Sequence, residues 1–256
     1  MISLEGLMTP PNASTTARER ARAELTREIK DEARRQLATA GADGLSLRAV
    51  ARSLGMVSSA LYRYFPSRDD LLTALITDAY NSMGAAVEKA IADVDAGSGG
   101  GARGQWTAAC RRVRGWAREH PHEYALIYGS PVPGYRAPET TIGPAARVPL
   151  AFIGILAGAA TPGGVDWSLD GRALDGPLAA QAAALAAALA AEGFPATPGD
   201  ALPAVPGDAL VRGVIAWTQL FGMVSFELFG QFVGSFEPAD AIFEHAITEM
   251  ASFVGL

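Results

Sequence analysis

The sequence predicts an all-α protein in two parts, and three observations carry that prediction. Apolar residues recur at three- and four-residue spacing along most of the 256-residue chain, and no stretch alternates with the period of a strand. Clusters of glycine and proline cut this pattern into separate segments. Charge is also divided. Residues 18–68 hold eleven Arg or Lys against six acids, a net of +5 in a chain whose total is −6, so the remainder sums to −11. A basic end on an acidic body suits a polyanion at one end and a different task at the other.

Hydrophobic residues make up 49% of the chain and charged residues 19%, a globular composition with ample material for a core. The one cysteine, Cys110, excludes an intramolecular disulfide framework and suits a reducing compartment. Residues 1–17 lack the basic start and apolar core of a secretory signal. The longest apolar run, "VPLAFIGILAGAA" at 148–160, is interrupted by Pro149 and is shorter than a bilayer span, so a buried helix is expected there. These features predict a cytoplasmic protein without a membrane partner.

In order along the chain, residues 1–17 read as a flexible tail. Ala21, Leu25, Ile29, Ala33 and Leu37 then form a helical stripe over 18–40, closed by Gly41. A short helix follows Ser46, a capping residue, with Leu47, Val50, Ala51 and Leu54 on one face and Gly55 as its stop. A third helix is expected over 58–65, before Pro66. "SRDD" opens a fourth, with Ser67 and Asp70 at capping-box spacing, and it can run to Val94. Beyond the Gly-rich break at 95–104, helices are expected at 105–119, 145–159, 177–193, 209–232 and 238–254. Loops fill 129–144, 160–176 and 194–208. The expected divisions are 1–17, 18–66 and 67–256.

The segment "SLGMVSSALYRYF" at 53–65 carries the functional argument. A helix, a four-residue turn at Gly55 and a second helix have helix-turn-helix spacing. The first helix turns its aliphatic residues inward and leaves Arg48, Arg52 and Ser53 outside. The second buries Leu61 and Phe65 and shows Ser58, Ser59, Tyr62 and Arg63. Small side chains at its start let a backbone approach base edges, while tyrosine hydroxyls and arginines reach phosphates. By geometry alone, a solvated helix corner in an ordinary helical protein fits equally well.

The longer stretch "GADGLSLRAVARSLGMVSSALYRYFPSRDDLLTAL", residues 41–75, resembles the DNA-binding region of the tetracycline-repressor (TetR) family of bacterial regulators. Its most specific part is Leu61–Tyr62–Arg63–Tyr64–Phe65, followed by Arg68 and Leu71–Leu72. The resemblance implies a three-helix DNA-binding domain joined to a helical-bundle domain for ligand binding and dimerisation. By position it assigns Arg48 to a base edge, and Ser58, Ser59 and Ala60 to the base-facing start of the recognition helix. Tyr62, Tyr64 and Arg68 match phosphate-contacting positions. One residue departs from the pattern: Val57 stands where the family usually has a capping Ser or Thr, so the cap could shift to Ser58 and the register by one residue.

The later segments "WAREHPHEYALIYG" (116–129) and "AWTQLFGMVSFELFGQF" (216–232) resemble a TetR-type ligand-binding domain. That resemblance implies an effector pocket, for which the candidates are Trp116, Tyr124, Tyr128, Phe152, Trp217 and Phe221. The closing helices hold more aromatic residues than one small interior needs, so Phe226, Phe229, Phe243 and Ile247 are candidates for a dimer interface. Glu227 and Gln219, on an apolar helix, would need partners if buried. His120 and His122 flank Pro121 and do not share a helix face, so no metal site is expected, nor any cofactor. No paired carboxylate, Ser/His or phosphate-loop arrangement is present, which counts against an enzyme. The expectation is a homodimeric regulator, most simply a repressor, that binds a palindromic double-stranded operator and responds to a small-molecule effector. The rivals are an all-α enzyme using the C-terminal pocket and a helical protein-interaction module.

Overall fold

The computed structural model describes residues 13–96, 100–159, 174–191 and 205–256. Most of the expected tail, nearly all of 160–176 and most of the 194–208 loop lie outside the described residues. Among the described residues every regular element is helical, and the chain separates into two units.

The first unit takes the chain as far as Leu75 together with Pro131–Tyr135. It holds α1 (Ala13–Ala40), α2 (Leu47–Ser53), α3 (Ser58–Leu61) and the opening turns of α4 (Arg68–Ala96). Its core is small and aliphatic: Ile29, Ala33 and Leu37 from α1, Leu47, Val50 and Ala51 from α2, then Leu61 and Phe65, all buried. Leu71, Leu72 and Leu75 complete it, which is why the unit reaches past Pro66 into α4. Without those three leucines the underside of a core this small would face water, at about 1.5–3 kcal/mol for each fully exposed side chain. The Ser67 side chain caps α4 as its spacing requires, and the Asp70 carboxylate returns to the Ser67 hydroxyl rather than to its amide. The Asp70 amide donates to Ser67 Oγ (3.1 Å), and the Ser67 hydroxyl donates to the Asp70 carboxylate (2.7 Å).

The second unit holds the rest of α4, then α5 (Gly101–Glu119), α6 (Pro121–Tyr128), a 3-10 turn at Glu139–Thr141, α7 (Ile142–Ala159), α8 (Gly176–Ala191), α9 (Gly207–Leu228) and α10 (Asp240–Phe253). Its core is larger and aromatic, with Trp106, Trp116, Tyr124, Phe152, Phe221 and Phe243 among the buried side chains. Close helix packing needs small residues in places. A Cβ on Gly213 of α9 would lie 2.9 Å from the Leu156 side chain of α7, closer than real Cβ contacts.

Several boundaries differ from expectation. α6 occupies "PHEYALIY", a stretch outside the expected helices; proline is favoured as a first helical residue, and Pro121 starts this helix rather than ending one. α9 stops at Leu228, four residues early, because Gly230 turns the chain at φ +77°. Phe243 and Ile247, expected at a dimer interface, are fully buried within this unit, so they supply no surface to a partner. Their spacing correctly marks an apolar face of α10, but that face points into the chain's own core. Glu139–Ala159 and Gly207–Leu228, with mean hydropathies of 1.6 and 1.4, are each long and apolar enough to cross a membrane by length and composition. The first passes that test because the helix begins well before the apolar run at 148–160. Both contribute to the core, through Phe152, Ile155, Leu156, Leu220, Phe221 and Val224, as walls of a helical bundle do.

Candidate nucleic-acid interface

The first unit brings three of the seven expected contact residues, Arg48, Tyr62 and Arg68, to one groove. Ser46 caps α2 in extended conformation (φ −135°, ψ 118°), its hydroxyl accepting from the Ala49 amide while its own amide donates to Gln36 Oε1. This fixes where α2 begins and so where Arg48 points. Gly55 then adopts φ +66°, a conformation a side chain would disfavour, and the Met56 amide returns to the Ala51 carbonyl at 2.8 Å. The result is the tight corner that sends α3 across α2.

α3 is a short helix. It ends at Leu61 and continues as a turn through Tyr64, whose amide donates to the Leu61 carbonyl. Pro66 accounts only for Phe65, the residue that a following proline pushes out of helical conformation; the rest of the expected 58–65 is a helix followed by a turn. Ser59 is exposed, and Ser58 and Ala60 are half-buried. Val57 holds the capping position in extended conformation (φ −70°, ψ 138°), makes no side-chain cap and is 69% exposed. The cap therefore does not shift to Ser58, and the register follows Val57. An exposed valine beside three small side chains is a feature the motif alone does not flag; the departure at 57 is its only signal.

Arg48, Tyr62 and Arg68 line a single groove of about 440 Å³ together with Leu45, Ser46, Leu47, Pro66 and Ser67. Tyr62 is 42% exposed, its ring free to meet a partner. Arg68 has a structural task as well. Its Nη2 donates to the Ala42 carbonyl (2.8 Å) and its Nε to the Leu45 carbonyl (3.3 Å), pinning the α1–α2 connection. Tyr64 is half-buried under Arg22, whose guanidinium sits 5.0 Å over the ring and whose Nη2 reaches the Arg63 carbonyl at 3.4 Å. Glu32 is the one buried acid among the described residues of this unit. Burial pushes its carboxyl up, but hydrogen bonds from Arg35, Ser53 and Gln36 outweigh that and hold it below the usual carboxylate range.

In the second unit the six expected pocket residues divide. Tyr124, Tyr128, Phe221 and Trp217 form one continuous aromatic cluster, with ring centroids 5.3, 4.4 and 5.2 Å apart in turn along Tyr124–Tyr128–Phe221–Trp217. Tyr124 Oη donates to the Phe221 carbonyl (3.1 Å) and lies 2.9 Å from Ser225 Oγ; burial raises its pKa to about 12. Trp116 and Phe152 share the core but meet other rings, His120 and Trp106 respectively. Among the described residues, the buried Trp217 Nε1 has no hydrogen-bond partner. Glu227 finds its partner within the chain, accepting two hydrogen bonds from Arg114 at 2.6 and 2.7 Å, while Gln219 lines surface grooves. Cys110 is buried, its thiol pushed well above the usual range by loss of water. Among the described residues no three His, Cys, Asp or Glu side chains converge as a metal would require.

Helix, glycine corner and short second helix, with arginine and tyrosine around one groove, define a helix-turn-helix protein of the kind that binds duplex DNA. Comparison with known proteins takes this to a family. Residues 29–75 match the family model described as bacterial regulatory proteins, tetR family, and residues 106–250 match the tetracyclin repressor-like C-terminal domain. The HTH-type transcriptional regulators Rv1816 of Mycobacterium tuberculosis and Mb1846 of Mycobacterium bovis are each 40% identical over 217 residues, covering 83% of this chain and 84% of theirs. The crystal structure of SCO4313, described as a regulatory protein, superposes with a TM-score of 0.66 at 34% identity over 91% of this chain and 97% of its own. A protein from Rhodococcus sp. RHA1 shares the fold at 21% identity, with a TM-score of 0.56 over 90% and 93% of the two chains. The chain belongs to the TetR family and is a DNA-binding transcription regulator.

Proposed function

We propose that the regulator is a homodimeric repressor that reads a near-palindromic operator and leaves it when a small, largely apolar effector binds the second unit. The observation that carries this reading is the unpartnered outer face of α9 and α10. Two grooves of 470 and 440 Å³ run along it, lined by Ile215, Gln219, His245, Ala246 and Phe253, and by Thr218, Gly222, Phe226, Phe232 and Ile242. Val214 and Ile215 are about half exposed, and Phe226 is 54% exposed. Apolar residues in that density on two adjacent helices suit a self-complementary two-fold contact. In this reading Phe226 and Phe229 serve the interface, and Phe243 and Ile247 do not.

A dimer would present two α3 helices to successive major grooves, about 34–36 Å apart. Arg48 takes the role of a base-reading fork; Ser58, Ser59 and Ala60 allow close approach; Tyr62, Tyr64 and Arg68 meet phosphates, Arg68 through Nη1, which lies 3.7 Å from the exposed Asp69 carboxylate. The aromatic cluster around Trp217 supports an effector site, because a buried indole N–H without a partner is stabilised by any ligand that accepts from it. Such a ligand shifts DNA binding only through different affinities for the bound and free states. Sedimentation of the purified protein tests the dimer, and binding to its own upstream DNA at two salt concentrations tests the operator. A monomer at micromolar concentration, or no preference over scrambled duplex across a genome-wide DNA pull-down, would overturn the reading.

A further inference from the structure

The opening turns of α1 are the most exposed regular structure of the first unit. Every residue from Ala17 to Glu24 is exposed, including Ala21, which lies on the same stripe as the buried Ile29. The helix therefore overhangs the core of its unit. Isolated helical turns are marginal in water, so such an overhang brings the fold little stability. It also lies outside the family pattern, which begins at residue 29.

Its position is fixed by one contact. Arg22 bonds the Arg63 carbonyl and covers the Tyr64 ring, so the overhang is anchored beside the end of the recognition segment. Arg18 is one turn further out on the same face as Arg22. Among the described residues, Arg18 makes no ion pair and no hydrogen bond. The nearby acids do not neutralise this face: Glu24 is 3.5 Å from Arg27, and Glu19 lies about a quarter-turn around the helix from Arg18.

We infer that Arg18 and Arg22 form a second DNA-backbone site, which clamps a phosphate of the same duplex that α3 reads. The inference rests on the DNA-binding reading of the first unit and adds a contact outside the helix-turn-helix motif. An uncommitted guanidinium beside a polyanion-binding surface gains a charge-assisted hydrogen bond, and released counterions supply the rest. The contact carries no sequence information, so it strengthens binding to every duplex equally. Arg22 is the positioning residue, committed in part to Arg63 and Tyr64. Arg18 is the phosphate ligand.

The test compares full-length wild type with Arg18→Gln and Arg18→Lys. Each is titrated, from about 50 to 200 mM salt, onto a 30-base-pair duplex selected from a random pool by the wild type and onto an unselected duplex of equal length. Arg18 pairs with no other described residue, so melting temperatures should agree among the three proteins. Arg18→Gln is expected to weaken both duplexes several-fold at the lowest salt. The slope of log K against log salt should fall by about 0.9 for each phosphate no longer neutralised. The ratio of selected to unselected affinity should stay constant, and ethylation interference should show one phosphate fewer per half-site. Arg18→Lys should retain most of the affinity. An unchanged slope with an unchanged interference pattern overturns the proposal while leaving the helix-turn-helix reading intact. Wild-type binding without salt dependence overturns both.

Discussion

The two units are built by different means. The first has a small core, aliphatic but for Phe65, and apart from the buried Glu32 it keeps its polar chemistry on the outside: Arg48, Ser59, Tyr62 and Arg18 all face solvent. The second has a large aromatic core and takes polar groups inside, most clearly Arg114, whose side chain is 9% exposed. Arg114 on α5 binds Glu227 on α9 and Asp240 on α10 and lies 4.7 Å over the Phe243 ring. A surface whose partner is outside the chain needs few internal polar contacts. A buried polar cluster that fits only one packing is one attested way for a bundle to keep a single arrangement.

The largest expected effect tests that contrast. Arg114→Met should leave the Glu227 carboxylate half-buried and unpaired and cost about 3 kcal/mol in urea unfolding. The double variant Arg114→Met, Glu227→Leu should recover much of this loss, because the unpaired charge is the main penalty. A loss below about 1 kcal/mol in the single variant would mean the cluster is as dispensable as a surface pair. In the first unit the matching change concerns binding. Arg48→Ala should reduce discrimination at one base pair by about 1–3 kcal/mol, read by competition among operator variants, and leave the melting temperature in place. Equal loss on all sequences would make Arg48 a phosphate contact.

The same contrast explains what is legible in the sequence. Caps and corners are local: Ser46, Gly55, and Ser67 with Asp70 act within four residues of themselves, and each does what its spacing indicates. Helix boundaries set by one residue's conformation are harder to read. α3 ends at Leu61 although nothing before Pro66 marks a stop, and Pro121 starts a helix rather than only ending one. Pairings between distant residues are not legible at all. Glu227 visibly needs a partner, but nothing in the chain marks Arg114, 113 positions away, as that partner. Periodicity identifies the apolar face of α10 without saying what covers it, so Phe243 and Ile247 read as residues for a second copy although their own core covers them. Tyr62 and Phe226 are legible as exposed because the stripes around them are already full.

A smaller effect sharpens the contrast at the recognition segment. Val57→Ser should let a hydroxyl cap α3, whose capping position already has the extended conformation required. Caps of this kind contribute about 0.5–2 kcal/mol. Thermal unfolding should therefore show a more stable protein. If Val57 is kept for an apolar contact with DNA, such as the methyl group of a thymine, the stabilised variant should bind its selected duplex less well. Gains in both stability and affinity would show that valine at 57 serves neither purpose.

The smallest effect concerns the exposed pair between α5 and α10, the counterpart of the buried cluster that Arg114 forms with α9 and α10. Arg111 holds Glu244 through hydrogen bonds of 2.7–3.1 Å, and both side chains are well exposed. The Arg111 guanidinium keeps the Glu244 carboxyl below the usual carboxylate value of 4.5, with slight burial pushing the other way. A carboxyl whose pKa is lower in the folded chain than in the unfolded one adds stability above the unfolded value, and that stability is lost as pH falls through the folded pKa. The pair should therefore matter near neutral pH and weaken as pH falls below about 4.5 toward the lower folded value. Because solvent screens both groups, its contribution should stay under about 1 kcal/mol and shrink further in salt. Arg111→Ala should thus lower the unfolding midpoint slightly at pH 7 and by less at pH 3. If the two proteins differ equally at both, Arg111 acts through packing of its aliphatic stem, and the division between buried and exposed ion pairs in this unit is less sharp than the geometry indicates.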